Sequence, residues 1–131
     1  MLVVDDNREV AAPLIMLLEY EGHVVRYADD GDSGLLAVSD HFPDVIFLDI
    51  EMPKLNGPEM AYRLLIQDAG RENIPIIVLS GVANLEEVAE KIGTPYFLPK
   101  PFPLDKLELL FERALKERRP PRTMQRTRGA A

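Results

Sequence analysis

Hydrophobic residues along this chain fall into two alternating patterns. Short apolar runs occur at Leu2–Val4, Val24–Tyr27, Val45–Leu48, Ile76–Leu79 and Tyr96–Leu98. Their shortness and their Val, Ile and Phe content predict five strands. Between and after them, apolar residues recur at helical spacing. Val10, Leu14, Leu17 and Leu18 form one stripe, closed by Gly22, with Pro13 inside it. A proline there predicts a bend or a later helix start. Leu35, Leu36 and Val38 form a second stripe, and Met60, Leu64 and Leu65 a third. Leu85, Val88, Ala89 and Ile92 form a short fourth, closed by Gly93. Leu104, Leu107, Leu110, Phe111, Ala114 and Leu115 form the fifth.

Strand then helix, five times over, predicts an α/β fold with a parallel sheet. Near-continuous apolar strands imply that helices cover both sheet faces, a doubly wound arrangement. Right-handed crossovers then place every strand C-terminus on one edge. The pattern dies after Leu115. The stretch KERRPPRTMQRTRGAA carries Pro120, Pro121, many arginines and almost no large apolar residue. The expected organisation is therefore one domain over 1–117 and a basic, disordered tail or linker over 118–131.

Bulk composition narrows the function classes. The 131 residues suit a single domain, and the absence of cysteine excludes disulfides, thiolate metal sites and cysteine nucleophiles. No apolar run reaches the roughly 18–20 residues of a membrane span. Asp5 and Asp6 interrupt the N-terminal apolar run, which argues against a signal peptide and for a cytoplasmic protein. The net charge is −7. Residues 116–131 hold six Lys and Arg against Glu117, net +5, which leaves −12 on 1–115. So acidic a body fits cations and basic partners, and direct DNA binding is not expected.

Two of the apolar runs end in acid: LVV continues into Asp5 and Asp6, and VIFL into Asp49. Ligands of doubly wound sheets bind beyond the carboxyl ends of the strands, where strand order reverses. If strand 1 lies beside strand 3, Asp5, Asp6 and Asp49 converge there. Clustered carboxylates repel one another, and a divalent cation relieves the cost. Oxygen-only ligands point to a hard ion, and one or two carboxylates with waters suit Mg²⁺. Ser80 and Lys100 follow strands 4 and 5 and supply donors without an acceptor. A phosphoryl group would accept from both, with an Asp carboxylate as the nucleophile. Each residue also has an ordinary structural explanation. Asp6 or Asn7 could cap a helix, Pro53, Asn56 and Gly57 are loop residues, and Ser80 could belong to a turn. It is their joint placement at the ends of strands 1, 3, 4 and 5 that points to chemistry.

The blocks VVDDN, DVIFLDIEMPKLNG, IIVLSG and FLPKPF stand in this order in the chain. In them, residues 2–117 resemble the receiver domains of bacterial response regulators in two-component signalling. The resemblance implies a flavodoxin-like sheet in the order 2-1-3-4-5 with five helices. It implies Asp49 as phosphoacceptor, and Asp5, Asp6, Asp49 and the backbone carbonyl of Glu51 as Mg²⁺ ligands. It implies Ser80 as the switch hydroxyl, Lys100 as the phosphoryl-pairing lysine with a cis bond to Pro101, and Phe97 as the switch aromatic residue. The implied donor is a phosphohistidine on a histidine kinase or a histidine phosphotransfer protein. The implied output is a protein target, or a second copy in a homodimer, on the face of helix 4, strand 5 and helix 5. The domain would be a signalling switch that catalyses only its own phosphorylation and dephosphorylation.

The chain departs from the family in places. Position 97 is Phe rather than Tyr, and Val82 is apolar where some members carry an acid or amide. The interval from Ser80 to Lys100 is about two residues short, which predicts a clipped helix 4. Two alternatives stay open: a pseudo-receiver that binds partners without phosphorylation, and a receiver fragment of a hybrid kinase or longer regulator. A haloacid-dehalogenase-type enzyme would also place an Asp nucleophile after a strand, with Glu51 as acid/base. That family usually opens on its nucleophile strand, whereas Asp49 ends the third. His23 and His41 have no spaced partners, and surface or loop roles are expected for both.

Overall fold

The structure, a computed structural model, describes residues 1–49, 57–81 and 83–122, without the side chains of 57–63. The expected roles of Glu51 and Val82, the expected loop placement of Pro53 and Asn56, the Met60 side chain and the expected tail over 123–131 lie outside the described residues.

Among the described residues ten elements alternate strictly. They are β1 (Leu2–Val4), α1 (Arg8–Tyr20), β2 (Arg26–Ala28), α2 (Gly31–Asp40), β3 (Ile46–Asp49), α3 (Gly57–Arg71), β4 (Ile76–Ser80), α4 (Leu85–Ile92), β5 (Tyr96–Pro99) and α5 (Leu104–Glu117). The five strands form one parallel sheet in the order 2-1-3-4-5, as the resemblance implies.

Successive strand residues point to opposite faces of a sheet, and the core divides accordingly. Leu2, Val4, Ile46, Leu48, Ile76 and Val78 pack against α2, α3 and α4. Val3, Phe47, Ile77, Leu79 and Tyr96 pack against α1 and α5 through Leu14, Leu18, Leu107 and Phe111. The central strands are apolar on both faces because both are covered.

Three expectations change in detail. The second strand was expected at Val24–Tyr27 but occupies Arg26–Ala28. Ladder pairing with β1 starts at Leu2 opposite Arg26. Val24 lies beyond it, 81% exposed, its carbonyl taken by the N-terminal ammonium at 2.9 Å. Pro13 does not delay its helix, which starts at Arg8 under an Asn7 cap. Pro13 and Glu9 are both exposed, so the Glu9 carbonyl that proline leaves without a donor can take water. The buried stripe of α1 is Ala11, Leu14 and Leu18, while Val10 is half-exposed.

Candidate functional site

Register brings the site together. Val4 pairs with Leu48 and Asp49 with Leu79, so Asp5, one step past Val4, stands level with Asp49 on the neighbouring strand. Alternation sends Asp5 to the side of Val3 and Asp49 to the side of Phe47, the α1/α5 face. Both carboxylates are buried, at 1% and 6% exposure. Asp6, the next residue, is exposed at the rim. Among the described residues no three His, Cys, Asp or Glu side chains gather closely enough to hold a metal ion. Of the three acids expected to converge, Asp5 and Asp49 form a buried pair and Asp6 follows them, exposed.

Lys100 reaches the same face from the end of β5 and forms an ion pair with Asp49 Oδ2. Its backbone N–H donates to the Ser80 carbonyl at 2.9 Å, which ties the lysine's strand end to that of β4. The Lys100–Pro101 peptide bond is cis, as the resemblance implies. Ser80 is fully buried at the end of β4. It alternates with Val78 and so lies on the opposite, α3/α4 face. Phe97, paired in register with Val78, packs half-buried on that same face. The five residues therefore divide into Asp5, Asp49 and Lys100 on one side of the sheet and Ser80 and Phe97 on the other.

Burial, then the adjoining Asp49 carboxylate, raises the Asp5 pKa to about 6; the Asn7 amide and Lys100 partly counter this. The Asn7 N–H donates to Asp5 Oδ1 at 2.9 Å, and the Asn7 side chain caps α1 through Glu9 and Val10. The capping alternative considered for Asp6 or Asn7 thus belongs to Asn7. An open cleft of about 700 Å³ lies over Asp5 to Val10. A small cavity of about 40 Å³ lies beneath Asp49 and Lys100, walled by Val3, Leu14, Phe47 and Phe102.

Among the described residues, Asp49 Oδ1 is the buried side-chain oxygen without a hydrogen-bond partner. Such an orphan is costly and calls for a ligand. The local donors are carboxylate oxygens, which suit a hard cation whose remaining positions are filled by water. The site fits Mg²⁺ on these grounds.

Sequence reasoning missed Tyr27. Its hydroxyl donates to the Asp5 backbone carbonyl at 2.5 Å, and the Arg8 guanidinium lies 5.1 Å from its ring centre. Its place on β2 beside β1 was the available signal. His41 lies in a loop as expected. His23 also lies in a loop, between α1 and β2, and meets the Phe111 ring edge-on at 5.2 Å.

Comparison with known proteins agrees with this geometry. The family model described as response regulator receiver domain matches residues 1–112. Response regulator MprA of Mycobacterium sp. (strain KMS) is 37% identical over 92% of this chain and 52% of its own length. The nitrogen assimilation regulatory protein NtrX of Azorhizobium caulinodans is 35% identical over 88% of this chain and 26% of its own. The chain thus spans about half, or less, of the length of these relatives. Among solved structures, the receiver domain of NtrX from Brucella abortus superposes with a TM-score of 0.73 at 35% identity, covering 88% of this chain and 97% of that one. Register, buried acid pair and family match converge on one conclusion: the chain belongs to the response regulator receiver domain family of two-component signalling.

Proposed function

We propose that Asp49 is the phosphoacceptor of this receiver, charged by a phosphohistidine on a histidine kinase or a histidine phosphotransfer protein. The observation that carries the reading is the state of Asp49 itself. It is a buried carboxylate with one oxygen paired to Lys100 and the other without a partner. The unpartnered Oδ1 is the nucleophile, and its poor solvation costs little to give up on attack. The new bond is Asp49 O–P. The N–P bond of the phosphohistidine breaks, and the imidazole leaves with the electron pair.

Lys100 is held beside Asp49 and offers positive charge to the equatorial phosphoryl oxygens. Asp5, Asp6, Asp49 and the Glu51 carbonyl are the residues that would hold Mg²⁺, which when bound neutralises charge on the phosphoryl oxygens. Ser80 would donate to the phosphoryl group, and Phe97 would follow into the space it leaves. The face of α4, β5 and α5 then presents a changed surface to a protein target or a second copy. No helix among the described residues is long and apolar enough to cross a membrane, and a cytoplasmic site of action is part of the proposal.

Incubation with Mg²⁺ and acetyl phosphate, read by intact mass, tests the assignment. Gain of one phosphoryl group, absent in Asp49→Asn and in excess chelator, is expected. Folded protein that gains none would overturn it in favour of a phosphorylation-independent binding module.

A further inference from the structure

The segment after α5 leaves the helix and crosses the sheet edge. Arg118 ends the helix in the left-handed region, φ 53°, with its N–H on the Ala114 carbonyl at 2.8 Å. The Arg119 N–H then donates to the Tyr96 hydroxyl at 3.4 Å. That hydroxyl donates to Glu117 Oε1 at 3.0 Å. Pro121 is buried, and the Arg122 N–H donates to the Gly93 carbonyl at 2.9 Å.

Two glycines form the seat. Gly93 closes α4 at φ 86°, which already favours glycine. A Cβ there would stand 1.8 Å from the Arg122 carbonyl oxygen. A Cβ on Gly70, in the last turn of α3, would stand 3.0 Å from the Pro121 oxygen. The chain therefore runs from the α1/α5 layer, around the strand N-termini, onto the layer of α3 and α4. Pro120 and Pro121 stiffen the segment, so less entropy is lost in ordering it.

The two ends of α4 are held differently. Its C-terminal end carries the Gly93–Arg122 bond. At its N-terminal end, four residues from Ser80, the Asn84 side chain makes no capping bond. We propose that residues 118–122 are an intramolecular strap that pins the C-terminal end of α4 and makes it a pivot. Displacement of α4 is then concentrated at its N-terminal end, beside Ser80. The composition that reads as the start of a loose tail is here a brace on the output face.

Amide hydrogen exchange on the full chain tests the strap. The Arg122 amide should exchange at least about tenfold more slowly than in an unstructured peptide of residues 116–128. Arg122→Pro removes the donor, and Pro121→Gly removes the buried ring; both leave the core untouched. Each should speed exchange of the Gly93 and Thr94 amides, which close α4, by about tenfold, with α1 unchanged. Arg122 exchange as fast as in the peptide, or α4 rates within about twofold of the parent in both variants, would overturn the proposal.

Discussion

Lys100 and Asp49 form an ion pair although Asp49 ends β3 and Lys100 follows β5, with β4 between them. The pair spans the end of β4, and the Lys100 N–H on the Ser80 carbonyl holds it there. Lys100→Met keeps the stem but leaves the buried Asp49 without its cation. Loss of one partner of a buried pair is destabilising. A loss of roughly 2 kcal/mol is expected by urea unfolding at pH 7, together with slower phosphorylation from acetyl phosphate. Unchanged stability would show that the pair contributes nothing.

Asp5 sets a pH dependence. Its folded pKa, about 6, lies above the ordinary 3.8. Between those values the folded protein holds a proton that the unfolded chain has released. Stability from this group is therefore present below pH 3.8 and lost as pH rises through 6. In excess chelator, Asp5→Asn should match the parent near pH 4 and exceed it by about 2 kcal/mol at pH 7. Thermal unfolding across that range reads the difference, and a constant offset would contradict it.

Arg26 holds the C-terminal end of α2. Its guanidinium donates to the Ala37 carbonyl at 2.7 Å and also to the His41 carbonyl. The Ala37 carbonyl also takes the His41 N–H at 3.1 Å, so the guanidinium is a second donor there, and it places positive charge at the helix's negative end. Arg26→Met should cost about 1–2 kcal/mol. Faster amide exchange confined to the last turn of α2 would locate the effect, and exchange identical to the parent's would refute it.

Tyr96 is fully buried but makes two polar contacts through its hydroxyl, to Glu117 and Arg119. Arg113 supports the arrangement, 3.2 Å from Glu117 and 5.3 Å over the Tyr96 ring. Tyr96→Phe preserves the packing and should cost about 1 kcal/mol. The change should appear in chemical shifts at the C-terminal end of α5, with those around Asp49 unmoved.

Much of this was legible in the chain because burial on both sheet faces writes a clear signal. Val3 to Val4, Phe47 to Leu48 and Ile76 to Leu79 are apolar at every position, and all are buried strand. The acids that end such runs stood out for the same reason. Edges were harder to read. Val24 is as apolar as a strand residue, but it lies outside the ladder. Leu36 and Leu104 fit helical stripes yet are exposed, because a stripe defined by three or four residues does not fix which side faces the sheet. The separation of Ser80 from Asp49 across the sheet depends on register, which sequence spacing alone does not supply. The strap was illegible for another reason. The bond that ties it to α4 is backbone to backbone, and its seat is made of missing side chains.

The split of the site has a mechanical consequence. One layer of peptide backbone, the end of β4, separates the carboxylate that would be modified from the aromatic ring that would answer it. On the proposed function that layer would act as a diaphragm: reagents would reach one surface, and movement would be read on the other. On the proposed function, substitutions that soften the diaphragm, such as Val78→Ala, would leave chemistry at Asp49 intact while muting the response at Phe97. Loading and response would then be separately tunable within a single short strand.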